Sequence, residues 1–279
     1  MTDAFASFHP LIGLAYFAAV IGFAMFLMHP ALLAMSLLCA TAYALYLRKK
    51  LWFALPMLVF TAAMNPLFNH RGATVLAHLP NGNPLTLESL AFGAAAAVML
   101  VAVIAWFACF NAVMTSDKIV YLFGRVMPGL SLILAMSLRF VPLFKMRLKE
   151  ISQAQRGIGQ RRNGLRRLSI LVTWALENAL ETADSMKSRG YGLPGRTAFA
   201  LYRFTRRDAA ALAYIGLCAG VVAFGAATGG AAFRYFPTLG GQWAGVRSGA
   251  TLAAYAGLGL FPLAVNVQEA LIWRHIAPK

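Results

Sequence analysis

Two short stretches of the 279-residue chain place an arginine directly before a glycine where a helical pattern ends. They are Gln155-Arg156-Gly157 and Ser188-Arg189-Gly190, whose arginines are 33 residues apart. An arginine presents a planar fork of N–H donors that pairs with a carboxylate, and a glycine keeps the backbone slim. Both stretches could therefore enter an acidic groove on another protein. A helix end offers a second explanation, because glycine commonly stops a helix and a cation there complements the helix dipole.

A nearby stretch, GYGLPGRT at residues 190–197, nearly matches a phosphate-binding loop. The motif requires lysine where this chain has Arg196, and it lies between a strand and a helix, whereas this stretch follows a helical pattern. We therefore expect no ATPase centre in the chain. We expect the chain to bind no cofactor of its own, so that any coupling to ATP must come from a partner.

Three side chains between the third and fourth apolar runs, His70, His78 and Glu88, could in principle ligate a metal ion. Their spacing is irregular and contains no short paired motif, which predicts a solvated loop rather than a metal site. The three cysteines are scattered among apolar segments and give no metal or disulfide pattern. Because no catalytic constellation is present, we expect that the chain is not an enzyme.

Composition indicates an integral membrane protein. The chain is 60% hydrophobic and 12% charged, whereas soluble domains carry about 25% charged residues. Its net charge is +16, and 17 of its 25 Lys and Arg residues lie between Lys118 and Arg207. Basic residues accumulate on the cytoplasmic side of membrane proteins because they resist translocation. We therefore interpret this segment as cytoplasmic, and not as a nucleic-acid-binding surface.

Six apolar segments approach the length of about 20 residues that a bilayer span needs. They cover residues 10–28, 31–47, 51–68, 89–111, 208–227 and 246–267. The basic run Arg48-Lys49-Lys50 places the second connection in the cytoplasm, and six spans then leave both termini cytoplasmic. Four glycines favour close helix packing in or beside the last two spans: Gly225, Gly229, Gly257 and Gly259.

The sequence thus predicts an all-α polytopic membrane protein with about six transmembrane helices. Residues 1–116 would hold about four of them, residues 117–207 a cytoplasmic region, and residues 208–279 about two more. Within the cytoplasmic region, residues 129–155 and 165–187 predict two long amphipathic helices that lie at the inner membrane surface or pack against protein there. Their apolar faces comprise Leu134, Leu138 and Val141 in the first helix, and Leu168, Val172, Ala175 and Ala179 in the second.

The opposite face of the second helix carries Glu177, Glu181 and Asp184. Burying several carboxylates in hydrocarbon would cost several kcal/mol, which favours a helix outside the bilayer. We expect these acids to pair with basic residues such as Lys145, Arg166 and Arg167, or to face solvent. A proton relay in a self-sufficient secondary transporter or channel is the alternative.

Two cytoplasmic helices that end in X-Arg-Gly resemble the coupling helices of the transmembrane T components of energy-coupling factor (ECF) transporters, the EcfT/CbiQ family. Residues 65–72 with 84–88, residues 138–142 and residues 173–177 are also similar to that family. The resemblance covers roughly residues 50–210. The two motifs begin with Gln155 and Ser188, where the family often has alanine.

The resemblance implies a scaffold in the cytoplasmic membrane of a prokaryote. Two cytoplasmic ATPase subunits, which hold ATP and Mg, would bind the helix tips, and each central arginine would enter an ATPase groove. The ATPase-binding residues would be Gln155, Arg156, Gly157, Ser188, Arg189 and Gly190. A membrane-embedded S component that binds a vitamin or related micronutrient would pack on the apolar faces, and ATP-driven motion of the tips would release its substrate inside.

Overall fold

The computed structural model describes residues 3–78, 84–159, 163–191, 193, 202–241 and 245–276. These residues form a 3₁₀ turn (Phe5–Ser7), α-helices and two small antiparallel hairpins. In chain order the elements are α1 (Pro10–Phe26), α2 (Pro30–Tyr46), α3 (Ala54–Phe68), β1 (Val75–His78), β2 (Pro84–Thr86), α4 (Leu87–Val113), α5 (Ser116–Val126), α6 (Pro128–Gly157), α7 (Gly164–Ser188), α8 (Arg206–Ala227), β3 (Phe233–Arg234), β4 (Gly240–Gly241) and α9 (Val246–Ile276).

The chain divides into two compact units. The first joins Met1–Thr115 with Arg203–Lys279 and contains α1 to α4, α8 and α9. The second is Ser116–Tyr202 and contains α5, α6 and α7. Helices make up most of both units, as the sequence predicts, and the two short hairpins lie in the first unit.

Local signals explain where several helices begin. Pro10 and Pro30 occupy the first positions of α1 and α2, where a backbone N–H has no helical partner to lose. The side chain of Thr86 caps α4 by accepting a hydrogen bond from its first turn. Thr205 and Asp208 form a capping box at the start of α8. These caps fix the starts of the helices that build the first unit.

The core of the first unit lies where α4 packs against α1 and α2. Trp106, Tyr16 and Tyr43 are fully buried there, and the indole N–H of Trp106 donates to Ser36 Oγ at 3.0 Å. The hydroxyl of Tyr16 donates to the carbonyl of Gly259 in α9 at 3.3 Å. The aromatic side chains of this core therefore have partners for their polar atoms, as buried Trp and Tyr usually do.

The N-terminal segment is tied to three helices by two carboxylates, of which Asp3 is half-buried and Asp208 is buried. Asp3 accepts hydrogen bonds from the Tyr43 hydroxyl at 2.7 Å and from Asn266 Nδ2 at 2.6 Å. Asp208 accepts one from the backbone N–H of His9 at 3.2 Å. These contacts hold the 3₁₀ turn and the start of α1 against α2, α8 and α9.

Close helix packing is found at three of the four glycines for which it was predicted. A Cβ atom at Gly257 would lie 2.8 Å from the Tyr214 hydroxyl, and one at Gly259 would lie 2.9 Å from Cys39 Sγ. Gly225 is similarly crowded by the side chain of Thr251. Gly229 differs, because its φ of +82° places it in the turn that follows α8.

Within the described residues, four helices are long and apolar enough to cross a membrane: α4, residues Gly129–Gly157 of α6, α8 and residues Val246–Trp273 of α9. The apolar helices α1, α2 and α3 are shorter, at 17, 17 and 15 residues. By length and composition α6 is thus a candidate span, which differs from the prediction of a surface helix. The reason is that its charges concentrate from Lys145 onward, so that Arg139 is the one charged residue in its N-terminal half. Among the described helices of at least 18 residues, α7 alone falls outside this set.

Candidate functional site

The first arginine motif lies in the last turn of α6. The backbone N–H of Ile158 donates to the carbonyl of Ala154 at 3.3 Å, and that of Gly159 donates to the carbonyl of Arg156 at 3.0 Å. Gly159 has a φ of +71°, the left-handed conformation that commonly ends a helix. The helix therefore continues through Gly157, and the cap explanation for this glycine is wrong.

The second motif ends α7 in a different way. Gly190 has a φ of +74°, and its N–H donates to the carbonyl of Lys187 at 3.0 Å. The N–H of Tyr191 donates to the carbonyl of Met186 at 3.0 Å. These two bonds form a Schellman motif. Here the cap explanation is sufficient for the glycine, although it says nothing about the exposed Arg189.

Gly157, unlike Gly190, does not cap its helix. It is exposed, it is helical, and a Cβ atom built on it would meet nothing within 4 Å. Glycine inside a helix is less stable than alanine by about 0.5–1 kcal/mol. Nothing in the described chain compensates for this loss, so the fold itself does not require glycine at this position.

Both arginine side chains are exposed. Within the described residues, ion pairs join Arg147 to Glu150 and Arg207 to Glu269, and neither Arg156 nor Arg189 takes part. Each guanidinium can therefore donate hydrogen bonds to a carboxylate of another protein.

Gln155 is turned away from the tip. It is only 5% exposed, and its Oε1 accepts a hydrogen bond from Arg167 Nε at 3.1 Å. Another nitrogen of the same guanidinium, Arg167 Nη2, is buried and has no hydrogen-bond partner among the described residues. The first residue of this motif thus fastens α6 to α7, whereas Ser188 at the other tip is exposed and donates to the carbonyl of Ser185 at 2.8 Å.

The contact between Gln155 and Arg167 also sets the separation of the two tips. It places the end of α6 beside the first turn of α7, whereas Arg189 follows Arg167 by 22 residues of sequence. At about 1.5 Å per helical residue this is about 33 Å. Arg156 and Arg189 therefore lie near opposite ends of α7, too far apart to enter one groove together.

Aromatic contacts join the middle parts of α6 and α7. The rings of Phe144 and Trp174 meet edge to face with centroids 5.9 Å apart. The guanidinium of Arg147 lies 5.0 Å from the centre of the Trp174 ring and also pairs with Glu150 at 2.7 Å. This cluster is not among the predicted site residues, although the aromatic residues in the two amphipathic helices are a signal for it.

The predicted apolar faces are largely uncovered. Leu134 and Ala175 are half-buried, and the other five residues are exposed, with Leu168 at 54% and Val141 at 50%. None of the described residues of α7 is buried. The acids Glu177, Glu181 and Asp184 are exposed as well, and the described residues offer them no ion pair. The hairpin of α6 and α7 therefore presents both apolar and charged surface outward.

The other candidate sites have structural explanations. Glu88 is buried, contrary to the solvated loop predicted for it, and its carboxylate accepts hydrogen bonds from the backbone N–H and the hydroxyl of Thr74. It thereby holds the preceding loop on the start of α4. No metal-like group of three His, Cys, Asp or Glu residues occurs in the part of the chain that the structure describes. The near match to a phosphate loop, residues 190–197, lies mostly outside the described residues.

Comparison with known proteins supports the assignment made from the sequence motifs. A family model described as cobalt transport protein (CbiQ) matches residues 8–199, which include both arginine motifs. The match also extends before residue 50, where the sequence had shown only compatible hydrophobicity. No curated protein matches the chain. The matched region covers more than half of the chain, and its apolar helices are those of a membrane protein. The chain therefore belongs to the CbiQ cobalt transport protein family, the EcfT/CbiQ family that its paired arginine motifs predicted.

Proposed function

We propose that the chain is the transmembrane T subunit of an ECF-type importer. In this role it is a scaffold that passes ATP-driven motion from two cytoplasmic ATPase subunits to a membrane-embedded, substrate-binding S component. The observation that carries the proposal is the pair of exposed guanidinium groups near opposite ends of α7. Family membership supports the same role.

The separation of the tips favours two ATPase subunits rather than one. Arg189 lies about 33 Å along α7 from Arg167, which contacts the neighbour of Arg156, Gln155, so each arginine tip requires its own acidic groove. A dimer of ATPase subunits offers two such grooves, and a change in their spacing would act on both ends of the hairpin. Arginine suits this contact because its fork binds a carboxylate through two parallel hydrogen bonds.

Gly157 supports close approach at the first tip. A glycine that is helical and exposed weakens its own helix, and alanine would fit the available space. A partner surface that packs directly on the backbone beside Arg156 would explain why this position is a glycine, because a side chain there would prevent the contact.

The uncovered apolar residues of the hairpin support an apolar partner. Five of the seven predicted face residues are exposed, among them Leu138 at 42% and Val172 at 48%. A membrane-embedded S component would remove this surface from water and would be held there by the hydrophobic effect. The contact between Gln155 and Arg167 then couples the first tip to the face that carries the S component.

ATP and Mg belong to the partner subunits in this proposal, and the chain itself is not an enzyme and binds no cofactor. The substrate is selected by the S component; the family description names cobalt, so a cobalt ion or a cobalt-containing or related vitamin is the proposed cargo. The chain would lie in the cytoplasmic membrane of a prokaryote, with both termini and the arginine tips on the cytoplasmic side.

Reversing the charge of the tips tests the proposal. Arg156→Glu and Arg189→Glu should each weaken co-purification of the ATPase subunits from the same organism, and the double variant should abolish it. Alanine at either position should cost about 2–5 kcal/mol of binding if the arginine forms a buried charge pair. An arginine that merely complements a helix dipole contributes about 0.3–1 kcal/mol.

Lys149→Glu is the matched control, because it reverses an exposed charge on the same helix outside the tip. It should leave ATPase binding near the wild-type level. All variants should reach the membrane in normal amounts. Retention of both ATPase subunits by the double variant at the wild-type level would contradict the proposal.

A further inference from the structure

A groove of about 670 Å³ lies between the N-terminal half of α8 and the C-terminal half of α9. Its volume falls within the range of about 300–1,000 Å³ that is typical of small-molecule sites. Tyr214 and Phe261 line part of it, with their rings stacked 5.3 Å apart. Much of the remaining wall consists of aliphatic side chains, which suits a hydrocarbon chain better than a polar metabolite.

The groove continues into an exposed apolar stripe on α8. Ala210 and Tyr214 line the groove, and Leu217, Val221 and Phe224 follow them at the spacing of one helix face. Leu217 and Phe224 are each 70% exposed. Because α8 and α9 are both candidate membrane spans, we expect this stripe to face the hydrocarbon of a bilayer, where a lipid chain would lie along it and into the groove.

Two opposite charges stand side by side in the groove. The closest nitrogen–oxygen distance between Arg207 and Glu269 is 3.7 Å, longer than the roughly 2.7–2.9 Å of a closed charge-assisted hydrogen bond. The guanidinium of Arg207 also lies 4.2 Å from the centre of the Phe8 ring, which holds it in place. Both charged groups therefore keep hydrogen-bonding capacity for a ligand.

From its place near the ends of two candidate spans, we expect the charged pair to lie at the depth of lipid headgroups. Arg207 is in the first turn of α8, and Glu269 is about two turns before the end of α9. Trp273, which also lines the groove, is 64% exposed, and exposed tryptophan is enriched at membrane–water interfaces.

We propose that this groove binds one zwitterionic aminophospholipid of the phosphatidylethanolamine type. Its phosphate would lie on Arg207, its ammonium group on Glu269, and one acyl chain along the wall formed by Ala210 and Tyr214. An anionic headgroup without an amine would satisfy Arg207 but would place a negative charge beside Glu269. The exposed Arg203 and Arg206 would attract any phosphate-bearing lipid, so Glu269 is the residue that selects the zwitterion.

Native mass spectrometry of the detergent-purified full chain tests this proposal. Phosphatidylethanolamine and phosphatidylglycerol with identical acyl chains are titrated in turn, and the bound fractions are compared. We expect tighter binding of phosphatidylethanolamine. Glu269→Gln should reduce this preference by up to about fivefold, the effect of an ion pair worth about 1 kcal/mol. Arg207→Gln should weaken the binding of both lipids.

Two further variants separate the groove from general charge effects. Ala210→Phe should fill the groove and abolish the bound lipid, whereas Arg206→Gln removes an exposed charge that does not line the groove and should preserve the preference. Equal or tighter binding of phosphatidylglycerol would overturn the proposal. So would an unchanged preference in Glu269→Gln, or the absence of any bound lipid.

Discussion

Gly157 and Gly190 follow equivalent arginines in the sequence but have different backbone conformations. Gly157 is helical with open space around it, whereas Gly190 has a φ of +74°. We therefore expect Gly157→Ala to stabilise the last turn of α6 by about 0.5–1 kcal/mol, and yet to weaken ATPase binding because the added methyl group blocks close approach.

Gly190→Ala should destabilise the end of α7 by about 1–2 kcal/mol, because a left-handed conformation is strained for alanine.

Hydrogen–deuterium exchange of the amides in residues 150–157 and 182–190 measures the two local effects, and co-purification measures binding. Slower exchange at the first tip together with weaker ATPase binding is the expected result for Gly157→Ala. Faster exchange at the first tip would show that the fold requires glycine there. Unchanged ATPase binding would remove the argument for close approach.

In the proposed function, the hairpin of α6 and α7 is the element that carries motion from the two tips to the S component. Trp174 contacts both Phe144 and Arg147 across the two helices; an aromatic pair contributes about 0.5–1.5 kcal/mol and a cation–π contact about 0.5–1 kcal/mol at an exposed site. Trp174→Ala should therefore loosen α6 against α7. Spin labels at Ala154 and Ser185 should report a distance on the order of 30 Å from the helical rise, and its distribution should broaden in the variant.

The labels would be attached to cysteines introduced at these two positions. The native cysteines Cys39, Cys109 and Cys218 are all buried, so we expect them to react little with the label. Trp52→Ala is the matched control, since Trp52 is an 81% exposed tryptophan in the other unit. We expect it to leave the distance distribution unchanged. A Trp174→Ala variant with the wild-type distribution would show that the cluster does not hold the hairpin.

On the scale of the whole molecule, apolar runs and their boundaries predicted most of the helices. The six predicted spans correspond to α1 to α4, α8 and α9, because their sequences are apolar; four of them, α1, α2, α4 and α8, also begin at a proline or a capping side chain. The arginine motifs also predicted the family, as the family model confirms. Apolar runs and capping residues are local features of the sequence, so they predict individual helices well.

Contacts distant in sequence could not be predicted in this way. Both Gly157 and Gly159 could have ended α6, and only the hydrogen bonds of the folded turn select Gly159. Gln155 faces inward because its partner Arg167 comes from the next helix. Glu88 is buried because the loop at Thr74 folds over it. Each of these features depends on a partner that the local pattern does not identify.

Transport by the chain alone is the remaining question at this scale. Within the described residues of the four candidate spans, the carboxylates lie in the first turn of α4 and of α8 and about two turns before the ends of α6 and α9: Glu88, Asp208, Glu150 and Glu269. A proton relay would need ionisable groups deeper in the bundle. We therefore expect proteoliposomes with the purified chain to take up no more labelled cobalt or vitamin than empty vesicles, with or without a proton gradient. Addition of the ATPase subunits, the S component and ATP should produce uptake, and removal of ATP is the control. Gradient-driven uptake by the chain alone would instead establish a self-sufficient secondary transporter.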